Sequence, residues 1–220
     1  MKFIMAYSGG KDCTLALDTM LREGHELAGL FVACTESQYN FKHGIRREIF
    51  ECYARALGGV KLFESHAPSR MNMDEPLAAL ISAAEETGAE AVCTGDIYQE
   101  AIYEWNSELA DRAGLRLICP LWQRTSRECV EAVLARGYRC IIKTIKTDYL
   151  PVEIVGKLLD EEMLRLFEAR GIDVCGENGE YHTMTVAGPA FREPIPVVLG
   201  RVLESKGFAT VDARLEEENR

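Results

Sequence analysis

The sequence predicts an α/β protein: a doubly wound parallel sheet followed by a smaller C-terminal α+β part. Apolar, strand-like runs alternate with stretches of helical spacing through most of the chain, the pattern of strand–helix–strand crossovers. The first strand runs straight into a pair of glycines and then a helix. From about Lys146 the alternation breaks down, which marks a separate annex over residues 146–220 behind a first domain of residues 1–145.

The opening stretch organises the rest. Phe3-Ile4-Met5-Ala6-Tyr7 is a buried strand, Ser8-Gly9-Gly10 a turn, and Lys11-Asp12-Cys13-Thr14 the first turn of a helix. This puts backbone N–H groups and the positive end of a helix dipole at the carboxyl end of a strand, which suits an anion. Glycine lets the backbone approach a phosphate closely. Ser8, Cys13 and Thr14 offer side-chain contacts and Lys11 a charge. The spacing is neither that of a Walker A loop nor Gly-x-Gly-x-x-Gly. The bland reading is a tight strand-to-helix turn without a ligand.

The helix is expected over 11–23, and a second strand from Glu26 to Ala33. The polar segment 34–43 follows a strand, where α/β sheets bind ligands. His43, at its end, orients a substrate or caps a helix. A helix over 44–57 stops at Gly58-Gly59, and Val60 to Glu64 is a third strand. Leu77, Leu80, Ile81 and Ala84 form one stripe of a helix over 74–87. The fourth strand, Ala89 to Thr94, ends in Gly95-Asp96-Ile97. If it lies beside the first strand, Gly95 and Asp96 adjoin the Ser8 loop. Asp96 then holds Mg²⁺ or a ribose hydroxyl, or caps the next helix.

That helix, over 98–113, brings Tyr98 and Gln99 to the same crevice in its first turn. A fifth strand ends in Cys119-Pro120-Leu121-Trp122, where Trp122 stacks on a ring or plugs the sheet edge. A helix over 125–136 and a further strand from Tyr138 to Ile145 follow. A long helix is expected over 153–170, then strand-like sequence over 184–212.

Composition narrows the classes. The net charge is −10 with no dense run of lysine and arginine, so nucleic acid is not expected as a partner. No apolar run approaches the ~18 residues of a membrane span. The start reads as a strand rather than a signal peptide. The eight cysteines form no Cys-x-x-Cys pair, so reduced thiols in the cytoplasm are expected, not a zinc or iron–sulfur site.

A second polar constellation lies far from the first: Gly176-Glu177-Asn178-Gly179-Glu180-Tyr181-His182-Thr183. Two carboxylates, an amide, an imidazole and a hydroxyl around two glycines suit a site better than a surface turn. Such carboxylates bind Mg²⁺, position ammonia, or act as a base.

Together the two stretches carry a resemblance. Ser-Gly-Gly-Lys-Asp resembles the pyrophosphate loop of the N-type ATP pyrophosphatases. With the second motif, the chain resembles the ATP-binding family that includes diphthine–ammonia ligase. Gly95-Asp96-Ile97-Tyr98-Gln99, Pro120-Leu121-Trp122 and Gly156-Lys157-Leu158-Leu159-Asp160-Glu161-Glu162 match in order, so the likeness spans nearly the whole chain. It implies an adenine-nucleotide α-hydrolase fold in the first domain, which would bind ATP, and a substrate-binding second domain. It implies adenylation of a carboxylate with loss of pyrophosphate, then attack by ammonia.

Under that resemblance Ser8, Gly9, Gly10, Lys11, Asp12, Cys13, Thr14, Gly95 and Asp96 would hold ATP, with Mg²⁺ on Asp12 and Asp96. Lys11, Asp12, Glu177 and Glu180 would carry the chemistry. His43, Tyr98, Gln99, Trp122, Asn178, Tyr181, His182 and Thr183 would line the acceptor side, and a dimer is expected. Cys13 stands where the family has serine, and Thr14 would compensate. Asn178 and His182 replace Gly and Glu of the diphthamide enzymes. They resemble a branch for which a role in cobalamin salvage has been proposed. The acceptor is therefore diphthine on elongation factor 2 or a corrinoid carboxylate. Sulfur transfer to tRNA and a non-catalytic nucleotide sensor are the rival classes. The first wants paired cysteines and a basic face; the second has no need of the second motif.

Overall fold

The computed structural model describes residues 1–34, 44–66 and 72–216. His43 lies outside them. The first sheet has five strands in the order β3-β2-β1-β4-β5: β1 (Lys2–Ala6), β2 (Glu26–Ala33), β3 (Lys61–Ser65), β4 (Ala91–Cys93) and β5 (Arg116–Ile118). All four pairings are parallel. The crossovers are α1 (Lys11–Arg22), α2 (Arg47–Ala56), α3 (Asp74–Thr87) and α4 (Glu100–Arg112). Strand order reverses at β1, between β2 and β4, so the crevice opens over the first glycine loop.

The period of two along β1 divides the core. Phe3, Met5 and Tyr7 pack with Leu17 and Met20 of α1 and Ile49, Phe50 and Tyr53 of α2. Ile4 points to the other face, with Leu80 of α3 and Leu109 of α4. A strand buried on both faces has to be apolar throughout, which is why β1 is so legible.

Beyond α5 (Ser126–Ala135) the chain enters a second sheet. It is antiparallel, in the order β7-β6-β9-β8, from β6 (Arg139–Lys146), β7 (Tyr181–Ala187), β8 (Val197–Ser205) and β9 (Phe208–Leu215). The strand expected at 138–145 thus joins the second sheet, so the change of sheet precedes the change of pattern near Lys146. The start of α5 is set by a capping box in which Thr125 and Glu128 bond each other's backbone N–H.

The long helix expected over 153–170 is not one helix. A 3₁₀ turn (Val152–Ile154) is followed by Gly156 at φ +88°. The chain then runs beside β6, with Ile142 N–H donating to Lys157 O and Leu159 N–H to Cys140 O, both at 2.8 Å. The helix α6 (Glu161–Ala169) begins only where Asp160 accepts from Met163 N–H at 2.9 Å. A left-handed glycine and an aspartate cap outweigh the apolar spacing that suggested continuity. Among the described residues no helix is long and apolar enough to cross a membrane. All eight cysteines are free thiols.

Candidate active site

The first loop is shaped by what it must avoid. Gly9 has φ +78°, and a Cβ there would lie 2.7 Å from Ile45 Cδ1 and 3.1 Å from the Tyr53 ring. Gly10 caps α1 without any side-chain bond, so the positive end of the helix has no carboxylate or hydroxyl cap of its own. The Ser8 hydroxyl donates to Cys13 Sγ at 3.3 Å, and that thiol donates to Gly10 O at 3.1 Å. Thr14 does not stand in for a hydroxyl at position 13. It is buried and donates back to Gly10 O (2.7 Å), with the Thr185 hydroxyl 3.2 Å and the Tyr7 hydroxyl 3.0 Å away.

The second constellation is fastened directly onto this loop. Lys11 N–H donates to Thr183 Oγ1 at 3.0 Å, and Thr185 N–H to Gly9 O at 2.8 Å. The Tyr53 hydroxyl donates to Thr185 O at 2.6 Å. Lys11 Nζ, almost wholly buried, donates to Cys175 O at 2.5 Å and to Asp12 Oδ2 at 2.7 Å, over the Tyr181 ring. Burial works against its charge, but Asp12, Tyr181 and Cys175 together outweigh that, and its pKa stands well above the usual lysine value. Lys11 therefore braces one loop against the other.

Within the second loop the acidic residues divide into two kinds. Glu180 is buried and accepts from Asn178 N–H (3.0 Å), the Asn178 side-chain amide (3.1 Å) and Asp173 N–H (3.3 Å). It holds the turn, and Asn178 is spent on it. The Tyr181 hydroxyl donates to Val174 O at 2.6 Å. Glu177, in contrast, has its carboxyl pushed up to about 7 by burial and by Asp12. Lys11 offsets part of this, while Asp173 and Asp96 add to it. A carboxyl poised near neutrality can take up or release a proton at working pH.

Asp96 stands beside the glycine loop, as β4 pairs with β1. The approach is so close that a Cβ on Gly95 would sit 2.7 Å from Cys13 N and 2.8 Å from Asp12 C. Asp96 does not cap α4, whose N-cap is Gln99. One of its oxygens accepts from Thr94 Oγ1 and from Asn106 Nδ2, each at 2.7 Å.

Carboxylate oxygens are the ligands that suit Mg²⁺. Among the described residues no group of three or more ligands is gathered for a metal. Mg²⁺ typically needs only one or two carboxylates and takes its remaining ligands from phosphates and water. Asp12, whose Oδ2 is paired with Lys11 Nζ at 2.7 Å, and Asp96 would be the carboxylates to hold such an ion.

Other expected acceptor residues have partners within the chain. The Tyr98 hydroxyl donates to Asp173 Oδ2 (3.1 Å) and Gln99 Nε2 to Glu177 O (2.8 Å). Trp122 is half-buried and stacked on Tyr103, ring centroids 4.3 Å apart. His182 sits across from Thr144 in the β6–β7 register. Sequence reasoning gave no role to Asp173, Ser126, Thr185 or Tyr53, all of which build the junction. Asp173 had a signal: Asp-x-Cys-Gly has the form of an Asx turn.

Two family models divide the chain between them. The diphthamide synthase N-terminal domain matches residues 1–117, and the diphthamide synthase C-terminal domain matches residues 125–214. The chain belongs to the diphthamide synthase family. Among similar proteins, the diphthine–ammonia ligase of Rattus norvegicus is 26% identical, over 90% of this chain and 83% of that one. The Homo sapiens diphthine–ammonia ligase is 24% identical, over 96% and 89%. The Schizosaccharomyces pombe one is 26% identical over 93% of this chain but only 37% of its own length. Among solved structures, a predicted subunit of tRNA methyltransferase from Methanocaldococcus jannaschii is similar at 15% identity and a TM-score of 0.42. It covers 89% of this chain and 100% of that one. At that distance it has no bearing on the site.

Proposed function

We propose that this protein is an ATP-dependent, AMP-forming ligase that joins ammonia to a carboxylate, with diphthine on elongation factor 2 as acceptor. Family membership and the diphthine–ammonia ligases among its relatives support an ATP-dependent amide ligase. One observation carries the reading. Two polar loops more than 160 residues apart meet through Lys11, whose main chain binds Thr183 and whose ammonium binds Cys175 O. A nucleotide loop bolted to an acidic loop suits a reaction with two partners better than simple nucleotide binding.

A carboxylate is a poor electrophile, so it must first be given a leaving group. In this reading an acceptor carboxylate oxygen bonds to the α-phosphorus of ATP as the bond to pyrophosphate breaks. Pyrophosphate departs at the N-terminus of α1, whose dipole and backbone N–H groups favour the charge. Mg²⁺, held by Asp12 and Asp96, would spread that charge further. Ammonia nitrogen then bonds to the activated carbonyl carbon, and AMP leaves with the electron pair. Glu177 accepts the surplus proton. Lys11 and Glu180 keep the loops in place rather than touching the reacting atoms. A cytoplasmic setting goes with this reading. A corrinoid carboxylate is the second acceptor, favoured by His182 and Asn178 at the positions where the loop departs from the diphthamide pattern.

The test is product analysis with α-labelled ATP, Mg²⁺ and ammonium. The acceptors are elongation factor 2 bearing diphthine and a set of incompletely amidated corrinoids. Labelled AMP and an amide on the elongation factor are expected. Amide on a corrinoid alone would transfer the reading to that acceptor. Tight ATP binding with no AMP from either would favour a nucleotide sensor.

A further inference from the structure

Asp173 opens the second loop, and its two carboxylate oxygens face different ways: one to the main chain around Glu177, the other to neighbouring elements. Its Oδ1 accepts from the backbone N–H of Cys175 at 2.9 Å and of Glu177 at 3.1 Å. Its Oδ2 accepts from the hydroxyl of Ser126, the first residue of α5, at 2.6 Å, and from Tyr98, in the β4–α4 turn, at 3.1 Å. Gln99 completes the arrangement from the same turn, donating to Glu177 O at 2.8 Å. The peptide groups of Glu177 are thus held on both sides, the N–H by Asp173 and the C=O by Gln99. Two of these attachments come from elements of the first sheet's half of the chain, and one from α5.

Such a clamp has a physical purpose. The Glu177 carboxyl stands where burial and three other carboxylates, Asp12, Asp173 and Asp96, oppose its ionisation, with Lys11 the compensating cation. A loop free to move would swing that side chain into water, where its charge is cheap to hold. We propose that Asp173 is a positioning residue for Glu177. It pins the main chain that carries the Glu177 carboxyl to the β4–α4 turn and to the start of α5, and so sets where that carboxyl stands. An aspartate is needed because four donors converge on its two oxygens. An asparagine offers one acceptor oxygen and turns a donor toward the rest. The role given to Glu177 rests on the ligase reading; the clamp does not.

The test uses the full chain with Asp173→Ala, Asp173→Asn, and the double variant Tyr98→Phe/Ser126→Ala. The double variant cuts the clamp from the far side and leaves the loop's own turn intact. Amide hydrogen exchange reads the clamp without any substrate. Exchange at Cys175 and Glu177 should rise roughly 100-fold in Asp173→Ala and roughly 10-fold in the double variant, with the amides of α1 unchanged. Turnover with ATP, Mg²⁺, ammonium and diphthine-bearing elongation factor 2 reads the positioning. The kcat should fall about 100-fold in Asp173→Ala while KM for ATP moves less than about 3-fold, with Asp173→Asn in between. Unchanged exchange at Cys175 and Glu177 would overturn the clamp. A freed loop with unchanged kcat, or a loss shared equally with KM for ATP, would overturn the positioning role. An inactive wild type would overturn the ligase reading and with it the role of Glu177, while the exchange result would still decide the clamp.

Discussion

Replacing Glu177 by glutamine should make the protein more stable, and by an amount that depends on pH. The Glu177 carboxyl titrates at about 7 in the folded chain against 4.5 ordinarily, with burial and Asp12 as the main causes. The folded state therefore favours the protonated form. Below about pH 4.5 both states hold the proton and the group has no effect on folding. Between about pH 4.5 and 7 the unfolded chain has released its proton while the folded chain still holds it, so stability falls as pH rises; above about pH 8 both states are ionised and the loss is complete. A displacement of that size corresponds to at most about 3 kcal/mol. Glu177 is only partly buried, and water relaxes part of the penalty, so ~1–2 kcal/mol is the working figure. For a chain of this length that is roughly 2–8 °C in Tm. Glutamine keeps the shape and removes the charge. Thermal melts of both proteins from pH 4.5 to 8.5, without nucleotide or Mg²⁺, would give the difference directly. It should be near zero at the acid end and reach its full value, with Glu177→Gln the more stable, by pH 8. A difference that does not change with pH, or a variant less stable at pH 8, would refute the placement of Glu177 among Asp12, Asp96 and Asp173.

Gly95→Ala should do the opposite through sterics alone. Its Cβ would lie within 2.8 Å of the backbone of Asp12 and Cys13, and backbone cannot step aside as a side chain can. A loss of ~1–3 kcal/mol and weaker ATP binding by titration calorimetry are expected; unaltered binding would separate β4 from the nucleotide loop. Lys143 offers a second pH-dependent test. It is buried in β6, donates to Val211 O, and burial lowers its pKa to about 8. The penalty for burying its charge is therefore full below pH 8 and fades toward 10.5. Lys143→Met should raise Tm at pH 7 by a few degrees, with the gain shrinking above pH 8; a gain that grows with pH would contradict this.

What could be read from the chain depended on how local its physical cause was. The parallel sheet was legible because each strand buried on both faces must be continuously apolar, and each helix between them shows its stripe. The adjacency of Gly95 and the Ser8 loop followed from topology, since only a sheet that reverses at β1 brings them together. The long helix at 153–170 failed because apolar spacing is blind to a left-handed Gly156 and to the backbone pairing of 157–159 with β6.

Residue types at the site were plain in sequence, but their division of labour was not. Ser8-Gly9-Gly10 and the Glu177–Thr183 motif stood out as a glycine loop and an acidic loop, because paired glycines and clustered polar groups are distinctive in those settings. That Lys11 faces Cys175 O depends on a contact between residues 164 positions apart, and that Asp173 gathers Ser126 and Tyr98 as well as its own loop depends on contacts across 47 and 75 positions; that Glu177 is left to titrate while Glu180 holds a turn depends on what is buried beside each. Sequence determines which groups the chain owns and the local geometry that glycine, caps and periodicity impose. Only the tertiary structure decides which group is buried, what faces it, and hence which carboxylate keeps its charge, because desolvation and Coulomb terms depend on distances that no local pattern encodes.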